Sequence, residues 1–212
     1  AYIPGYTILR SGGSFGIGYG PIVTATRKFT IQELQKTKIA IPGKMTSAFL
    51  LLQLMIGEFD YVEMNFSDIP NAVKNGEVDA GLVIHETQLS YSQEGISKVL
   101  DLGEWWSKTT GGLPVPLGIN VMKDDFDVEI IRKFDKFLQK SIQFGLQHTN
   151  DAIDYAMEYG RGKPRDLIEK FVKMYVNDVT VNMGTDGEKS IRRLFEMARE
   201  KNLVPEFELK IA

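Results

Sequence analysis

The stretch Asp79-Ala-Gly-Leu-Val-Ile-His85-Glu86 runs an apolar segment directly into one of the two histidines of the chain. Leu82, Val83 and Ile84 predict a strand buried on both faces, because a half-exposed strand would alternate apolar and polar residues. Strands of this kind belong to parallel sheets that are covered by helices on each side. The stretch therefore indicates an α/β fold and places His85 at the carboxyl end of a strand.

The position of His85 allows two interpretations. Ligands of open α/β sheets bind outside the carboxyl ends of the strands, and imidazole is suited to moving protons near neutral pH. The alternative is a histidine that ends the strand and bonds to a loop carbonyl group. Position alone does not decide between the two.

Strand and helix patterns alternate around this segment. The sequence predicts strands at 38–42, 61–64, 78–84 and 99–102, helices at 46–56 and 69–75, and then a helical turn at 104–106. Beyond an extended segment at 116–122, it predicts helices at 126–146, 151–159, 164–176 and 187–202. This order predicts βαβ units, a mixed but mainly parallel sheet, and two lobes, 25–118 and 1–24 with 119–212.

Composition narrows the classes of function. The 25 basic and 28 acidic residues give a net charge of -3, which argues against nucleic-acid binding and favours a small organic ligand. The chain has no cysteine, so it holds no disulfide, thiolate zinc site or catalytic thiol. The apolar run 48–56 is too short to cross a membrane and predicts a core helix. The acidic residues show no metal-binding spacing, and we predict neither a metal nor a cofactor.

Glycine recurs between Ser11 and Pro21. A phosphate-binding loop would have to open a helix, whereas Pro21 is followed by the β-rich segment 22–26, so we reject the nucleotide interpretation. Glycines within a strand pattern more often mark bulges or the close approach of another backbone or a ligand. The start of the chain lacks the pattern of a signal peptide, and the strand at 6–10 has no preceding partner, so we expect an upstream segment.

Thr46 and Ser47 lie where a predicted strand meets a predicted helix. Their hydroxyl groups and the free N–H groups of the first helical turn could bind a carboxylate or another anionic oxygen. Plain N-capping is the equally good alternative. Because the strands at 38–42 and 78–84 should be neighbours in one sheet, we expect these hydroxyls and His85 at the same edge. Trp105 and Trp106 are more typical of a core than of a ligand wall, and His148 near a helix end should be exposed.

Six stretches together resemble one family across nearly the whole chain. They are Arg10-Ser-Gly-Gly-Ser-Phe-Gly-Ile-Gly-Tyr-Gly-Pro21, Ile41-Pro-Gly-Lys-Met-Thr-Ser-Ala48, Gly76-Glu-Val-Asp-Ala-Gly-Leu-Val-Ile-His-Glu86, Asp101-Leu-Gly-Glu-Trp-Trp106, Gly112-Leu-Pro-Val-Pro-Leu-Gly118 and Tyr175-Val-Asn177. The chain resembles the 1,4-dihydroxy-6-naphthoate synthases of the futalosine route to menaquinone.

The resemblance implies a two-lobed fold like that of type 2 periplasmic binding proteins, with a ligand cleft between the lobes, in a cytoplasmic enzyme. It implies a carbon–carbon lyase that converts cyclic dehypoxanthinyl futalosine to 1,4-dihydroxy-6-naphthoate. The catalytic histidine of the family falls on His85, and its substrate-binding hydroxyl pair falls on Thr46 and Ser47. Two alternatives stay open: a solute-binding protein of the same fold without chemistry, and the sister chorismate dehydratase. The oligomeric state is not indicated.

Overall fold

The computed structural model describes residues 2–84, 91, 95–160, 162 and 164–212 of the chain. The chain forms two compact units. The first consists of Ala1–Gly16 with Pro116–Ala212, and the second of Ile17–Val115. The lobes derived from the sequence, with boundaries at 24/25 and 118/119, stay a prediction.

The second unit is built on a five-stranded sheet in the order β5-β4-β6-β3-β7. The strands are β3 (Ile22–Ala25), β4 (Lys38–Ile41), β5 (Asp60–Glu63), β6 (Ala80–Val83) and β7 (Ser97–Asp101). β4 runs parallel to β5 and β6, whereas β3 runs antiparallel to β6 and β7. All four residues of β6 are buried, as the apolar run predicts. The sheet is mixed, as predicted, and β6 has one parallel and one antiparallel neighbour.

In the described part of the second unit, four helices accompany this sheet. They are α1 (Ile31–Leu34), α2 (Ser47–Ile56), α3 (Ile69–Lys74) and α4 (Leu102–Thr110). α2 carries the apolar run, and six of its residues are buried, which confirms the predicted core helix. Ile69 and Val73 of α3 join Ile22 and Val83 of the sheet in one hydrophobic cluster. The sheet is thereby fixed to its helices through closely packed apolar side chains.

Among its described residues, the first unit contains two short two-stranded sheets and five helices. β1 (Tyr6–Ile8) pairs with β9 (Val121–Lys123), and β2 (Ser14–Gly16) pairs with β8 (Val115–Gly118). The helices are α5 (Val128–Gln147), α6 (Thr149–Met157), α7 (Arg165–Tyr175), α8 (Asp178–Val181) and α9 (Gly184–Glu200). The core of the unit includes Ile8, Phe15, Met183 and Ile191.

The predicted helix near 126–146 is present as α5, but its apolar face is largely exposed within the unit. Of the residues in this helix, all of which the structure describes, Ile131 alone is buried. Phe134 is 48% exposed and Phe137 is 72% exposed. Apolar residues that recur three and four positions apart indicate a helix with an apolar face, but this spacing does not specify what covers that face.

Within the described ranges, no helix is both long enough and apolar enough to cross a lipid bilayer.

Candidate active site

The carboxyl ends of β4 and β6 lie next to each other at one edge of the five-stranded sheet. The two strands pair in parallel, with Ile39 opposite Ala80 and Ala40 opposite Gly81. The sequence predicted this neighbourhood, and the register confirms it. The residues that follow two neighbouring parallel strands lie at the same edge of the sheet. This edge is where open α/β sheets place their ligands.

The chain after β4 turns directly into α2 and carries the two predicted hydroxyls. Thr46 is the N-cap residue of α2, with extended backbone angles. Its Oγ1 accepts a hydrogen bond from the N–H of Phe49 at 3.2 Å and donates one to the carbonyl oxygen of Gly43 at 2.8 Å. The N-capping interpretation is therefore confirmed for Thr46. A hydroxyl group has one proton and two lone pairs, so one lone pair of Thr46 remains able to accept from a substrate.

Ser47 is the first residue of α2, and its side chain is half-buried. The N–H groups of a first helical turn have no partner within the helix, and they carry the positive end of the helix dipole. The N–H of Phe49 is used by the Thr46 cap, whereas Ser47 and the remaining N–H groups of this turn can bind an electronegative oxygen of a ligand. The structure brings the two predicted hydroxyl residues together at the carboxyl edge of the sheet.

His85 lies outside the described residues, as does Glu86. β6 ends at Val83, and Ile84, half-buried, is the last described residue before His85 in the sequence. The role of His85 therefore stays a prediction that rests on the sequence.

Glu63, at the carboxyl end of β5, is a residue of this edge that the sequence analysis missed. One carboxylate oxygen accepts the backbone N–H of Lys44 at 3.1 Å, and the other lies 3.3 Å from the Lys44 ammonium nitrogen. The hydrogen bond from the Lys44 backbone N–H, together with the ammonium group, holds the pKa of Glu63 below its usual value. The same carboxylate raises the pKa of the Lys44 side chain. Both groups are therefore ionised near neutral pH.

The glycine-rich segment that precedes β3 leads to the same edge of the sheet. β3 runs antiparallel to β6, so β3 begins beside the carboxyl end of β6. Ile22 pairs with Val83 and with Asp101. A Cβ atom added to Gly103 would lie 2.4 Å from the backbone carbon of Tyr19. The backbones of this segment and of α4 thus cross in direct contact, as one of the interpretations of the glycines predicted.

The remaining sequence predictions can be compared directly with the structure. Trp106 is completely buried and donates from its indole nitrogen to the carbonyl oxygen of Pro114 at 3.2 Å, so it is a core residue. His148 is exposed at the end of α5, and its Nδ1 lies 2.9 Å from the carbonyl oxygen of Phe144. Among the residues that the structure describes, no three side chains of His, Asp or Glu form a group able to hold a metal ion.

Replacing Thr46 separates its capping role from any role in binding. Thr46→Ala should lower the free energy of unfolding by about 1 kcal/mol, because the N–H of Phe49 loses its acceptor. Thr46→Asn should unfold like the wild type, since asparagine is a good N-cap residue. Urea unfolding of the three proteins checks both expectations, and equal losses in the two variants would contradict the capping geometry.

Comparison with known proteins shows similarity over nearly the whole chain. A sequence profile described as menaquinone biosynthesis matches residues 2–200. The chain belongs to the menaquinone biosynthesis family. A 1,4-dihydroxy-6-naphthoate synthase from Thermus thermophilus is 37% identical over 198 residues, which are 93% of this chain and 72% of that protein. The resemblance found in the sequence is confirmed.

Solved structures agree with the fold. A crystal structure of a protein from Archaeoglobus fulgidus superimposes with a TM-score of 0.88 at 44% identity, covering 94% of this chain and 74% of that one. The alkanesulfonate-binding protein SsuA of Xanthomonas axonopodis superimposes with a TM-score of 0.65 at 12% identity, covering 95% and 71%. The fold is that of the periplasmic binding proteins, as predicted.

Proposed function

We propose that this protein is a carbon–carbon lyase that converts cyclic dehypoxanthinyl futalosine to 1,4-dihydroxy-6-naphthoate, with His85 as general base. The observation that supports the proposal is the parallel pairing of β4 and β6: Thr46 and Ser47 follow the first strand in the sequence, and Ile84, the residue before His85, follows the second. Membership of the menaquinone biosynthesis family, together with the 37% identical synthase, supports the choice of reaction.

The proposed chemistry begins with removal of a proton. Neutral His85 accepts the proton of a ring hydroxyl group of the substrate, and the resulting alkoxide collapses to a carbonyl group. The adjacent carbon–carbon bond breaks, and its electron pair passes into the ring system, which becomes aromatic as the sugar-derived fragment leaves with the new carbonyl group. The imidazolium of His85 returns its proton to the ring oxygen that takes up the negative charge, which regenerates the neutral base. General-base assistance of this kind contributes about 10² to 10⁴ in rate.

The hydroxyls of Thr46 and Ser47 hold the substrate in this proposal. Because the proton of Thr46 is directed at the carbonyl oxygen of Gly43, its free lone pair suits a substrate hydroxyl group that donates. Ser47 and those N–H groups of the first turn of α2 that do not cap the helix through Thr46 suit a carbonyl or carboxylate oxygen of the substrate. We place the reaction in the cytoplasm, as the resemblance implies, and cell fractionation tests this location.

Two variants test the binding role of the hydroxyls. Ser47→Ala and Thr46→Asn should each raise KM about tenfold with kcat nearly unchanged, because a contact made equally in the ground state and in the transition state affects binding alone. Thr46→Asn retains the helix cap, so its effect would report the lost hydroxyl group and not a weakened helix. Steady-state kinetics measure both constants, and unchanged KM values in both variants would contradict the binding role.

The experiment that tests the function is incubation of the purified protein with cyclic dehypoxanthinyl futalosine and, separately, with chorismate. Mass analysis should detect 1,4-dihydroxy-6-naphthoate from the first and no conversion of the second. Conversion of chorismate would identify the sister dehydratase. Binding of the first compound without any change in its mass would identify a solute-binding protein and overturn the proposal.

A further inference from the structure

The segment Pro42–Thr46, which joins β4 to α2, is fixed from both sides. On the side of α2, the hydroxyl of Thr46 donates to the carbonyl oxygen of Gly43 and accepts from Phe49. On the side of β5, the carboxylate of Glu63 contacts both the backbone N–H and the ammonium group of Lys44. Glu63 is therefore one of the groups outside the segment that fix the path of its backbone.

The strand register explains why Glu63 reaches this segment. β4 and β5 run in parallel with Ile41 opposite Glu63, and the N–H of Met64 donates to the carbonyl oxygen of Ile41 at 3.1 Å. The two strands thus end together, and the last residue of β5 faces the first residues after β4. A carboxylate at this position can accept from the N–H of Lys44 without any change in the backbone of β5.

Aromatic contacts of Tyr61 connect Lys44 to the first turn of α2. The Lys44 ammonium nitrogen lies 5.5 Å from the ring centroid of Tyr61, and the ring of Tyr61 packs edge-on against Phe49 at 5.0 Å. Phe49 is also the residue whose N–H donates to Thr46. Strand β5, the connecting segment and the first turn of α2 therefore hold one another through Glu63, Lys44 and Phe49.

Gly43 gives the segment conformational freedom that a contact from outside the segment must restrict. Its φ of 139° lies in a region of backbone conformation that residues other than glycine rarely adopt. Glycine loses more conformational freedom on ordering than any other residue, so a segment that turns at Gly43 has many alternative paths unless its ends are fixed. The contact from Glu63 to Lys44, the residue that follows, removes these alternatives.

We propose that Glu63 is a positioning residue whose carboxylate holds Gly43–Thr46 in the conformation that presents the hydroxyls of Thr46 and Ser47 to the substrate. This role rests on the proposed function, because it requires these hydroxyls to bind substrate. The Lys44 and Glu63 side chains are 54% and 47% exposed, and ion pairs with this exposure contribute little to global stability. The contact between Glu63 and Lys44 therefore affects the local backbone geometry of the segment and not the global stability of the protein.

Glu63→Ala should raise KM for cyclic dehypoxanthinyl futalosine about tenfold while kcat changes less than about twofold, since a mobile segment must be ordered when substrate binds. Glu63→Gln should recover part of the loss, because its amide oxygen can still accept the backbone N–H of Lys44. Hydrogen exchange at the amide of Lys44 in the ligand-free protein should become about tenfold faster in Glu63→Ala.

Glu33→Ala provides a matched control. The carboxylate of Glu33 likewise accepts a backbone N–H, that of Thr30 at 2.7 Å, and lies near Arg27, with a side-chain exposure of 51%. It belongs to α1 and to a capping box, and is not part of the site. Its replacement should leave KM and the exchange rate of the Lys44 amide unchanged.

Two results would overturn the positioning role in an active protein. One is a Lys44 amide that exchanges equally fast in the wild type and in Glu63→Ala. The other is faster exchange with unchanged KM, which would make the contact purely structural. If the wild-type protein itself converts no substrate, the proposed function fails and the role of Glu63 falls with it, so the two failures are distinguishable.

Discussion

Replacing His85 by alanine should lower kcat by about 10² to 10⁴, the factor that general-base assistance contributes. The substrate would still bind through the hydroxyls of Thr46 and Ser47, so KM should change much less than kcat. Exogenous imidazole should restore part of the activity, because it can take the place of the missing side chain as a proton acceptor. Steady-state kinetics with and without imidazole measure these effects.

His148→Ala is the control for this experiment, because it removes the other histidine of the chain. His148 lies in the first unit, where its ring stacks on Phe144 at 3.9 Å between ring centroids. Its replacement should leave kcat unchanged. Undiminished turnover by a folded His85→Ala protein would contradict the assignment of the base.

Gly103→Ala should lower the free energy of unfolding by about 3 kcal/mol, the upper part of the usual range for overpacking a closely packed site. The added Cβ would lie 2.4 Å from the backbone carbon of Tyr19 and 2.5 Å from the backbone nitrogen of Gly20. Both neighbours are backbone atoms, so no side chain can turn aside to relieve the contact. α4 would have to shift away from the segment that leads into β3.

Gly145→Ala is the matched control for this substitution. Apart from the chain neighbours and the backbone of α5 itself, no heavy atom of the described residues lies within 4 Å of a Cβ built at Gly145, which is inside α5. Alanine there should raise the free energy of unfolding by about 1 kcal/mol, because alanine favours helix more than glycine does. Urea unfolding measures both variants, and a Gly103→Ala protein as stable as the wild type would show that the two backbones do not cross in direct contact.

Much of the second unit could be predicted because apolar patterns report burial. Runs such as 80–83 and 48–56 indicate a buried strand and a core helix, and the alternation of strand and helix indicates parallel neighbours. The neighbourhood of β4 and β6, and with it the common edge for Thr46 and the segment that leads to His85, follows from these patterns.

The direction of β3 could not be predicted in the same way. A buried strand shows the same apolar run whether its neighbours are parallel or antiparallel. The structure places β3 antiparallel to β6, so the residues before it, and not those after it, lie at the candidate site. The crossing of Gly20 and Gly103 follows from that direction, and neither glycine alone indicates its partner.

The residues that flank α4 in the sequence indicate where this helix begins and ends. The predicted helical turn at 104–106 is a helix from Leu102 to Thr110. The side chain of Asp101 accepts from the N–H groups of Gly103 and Glu104 at 3.0 Å, and Gly111 ends the helix with a φ of 71°. An aspartate before a helix and a glycine after it are recognised start and stop signals.

Glu63 was missed because its importance comes from register and not from its surroundings in the sequence. β5 is mostly exposed, so a glutamate at its end reads as an ordinary surface residue. Only the pairing of Glu63 with Ile41 brings its carboxylate to Lys44. A single sequence carries no pattern that fixes such a register.

A single-turnover experiment tests the central claim most directly, because it separates binding from chemistry at the carboxyl edge of β4 and β6. The protein is mixed in excess with cyclic dehypoxanthinyl futalosine, the reaction is stopped with acid after increasing times, and 1,4-dihydroxy-6-naphthoate is quantified. We predict that the wild type converts the bound substrate in the first turnover, whereas His85→Ala binds it and leaves it unconverted. Equal first-turnover rates in the two proteins, or binding without conversion by the wild type, would contradict the account.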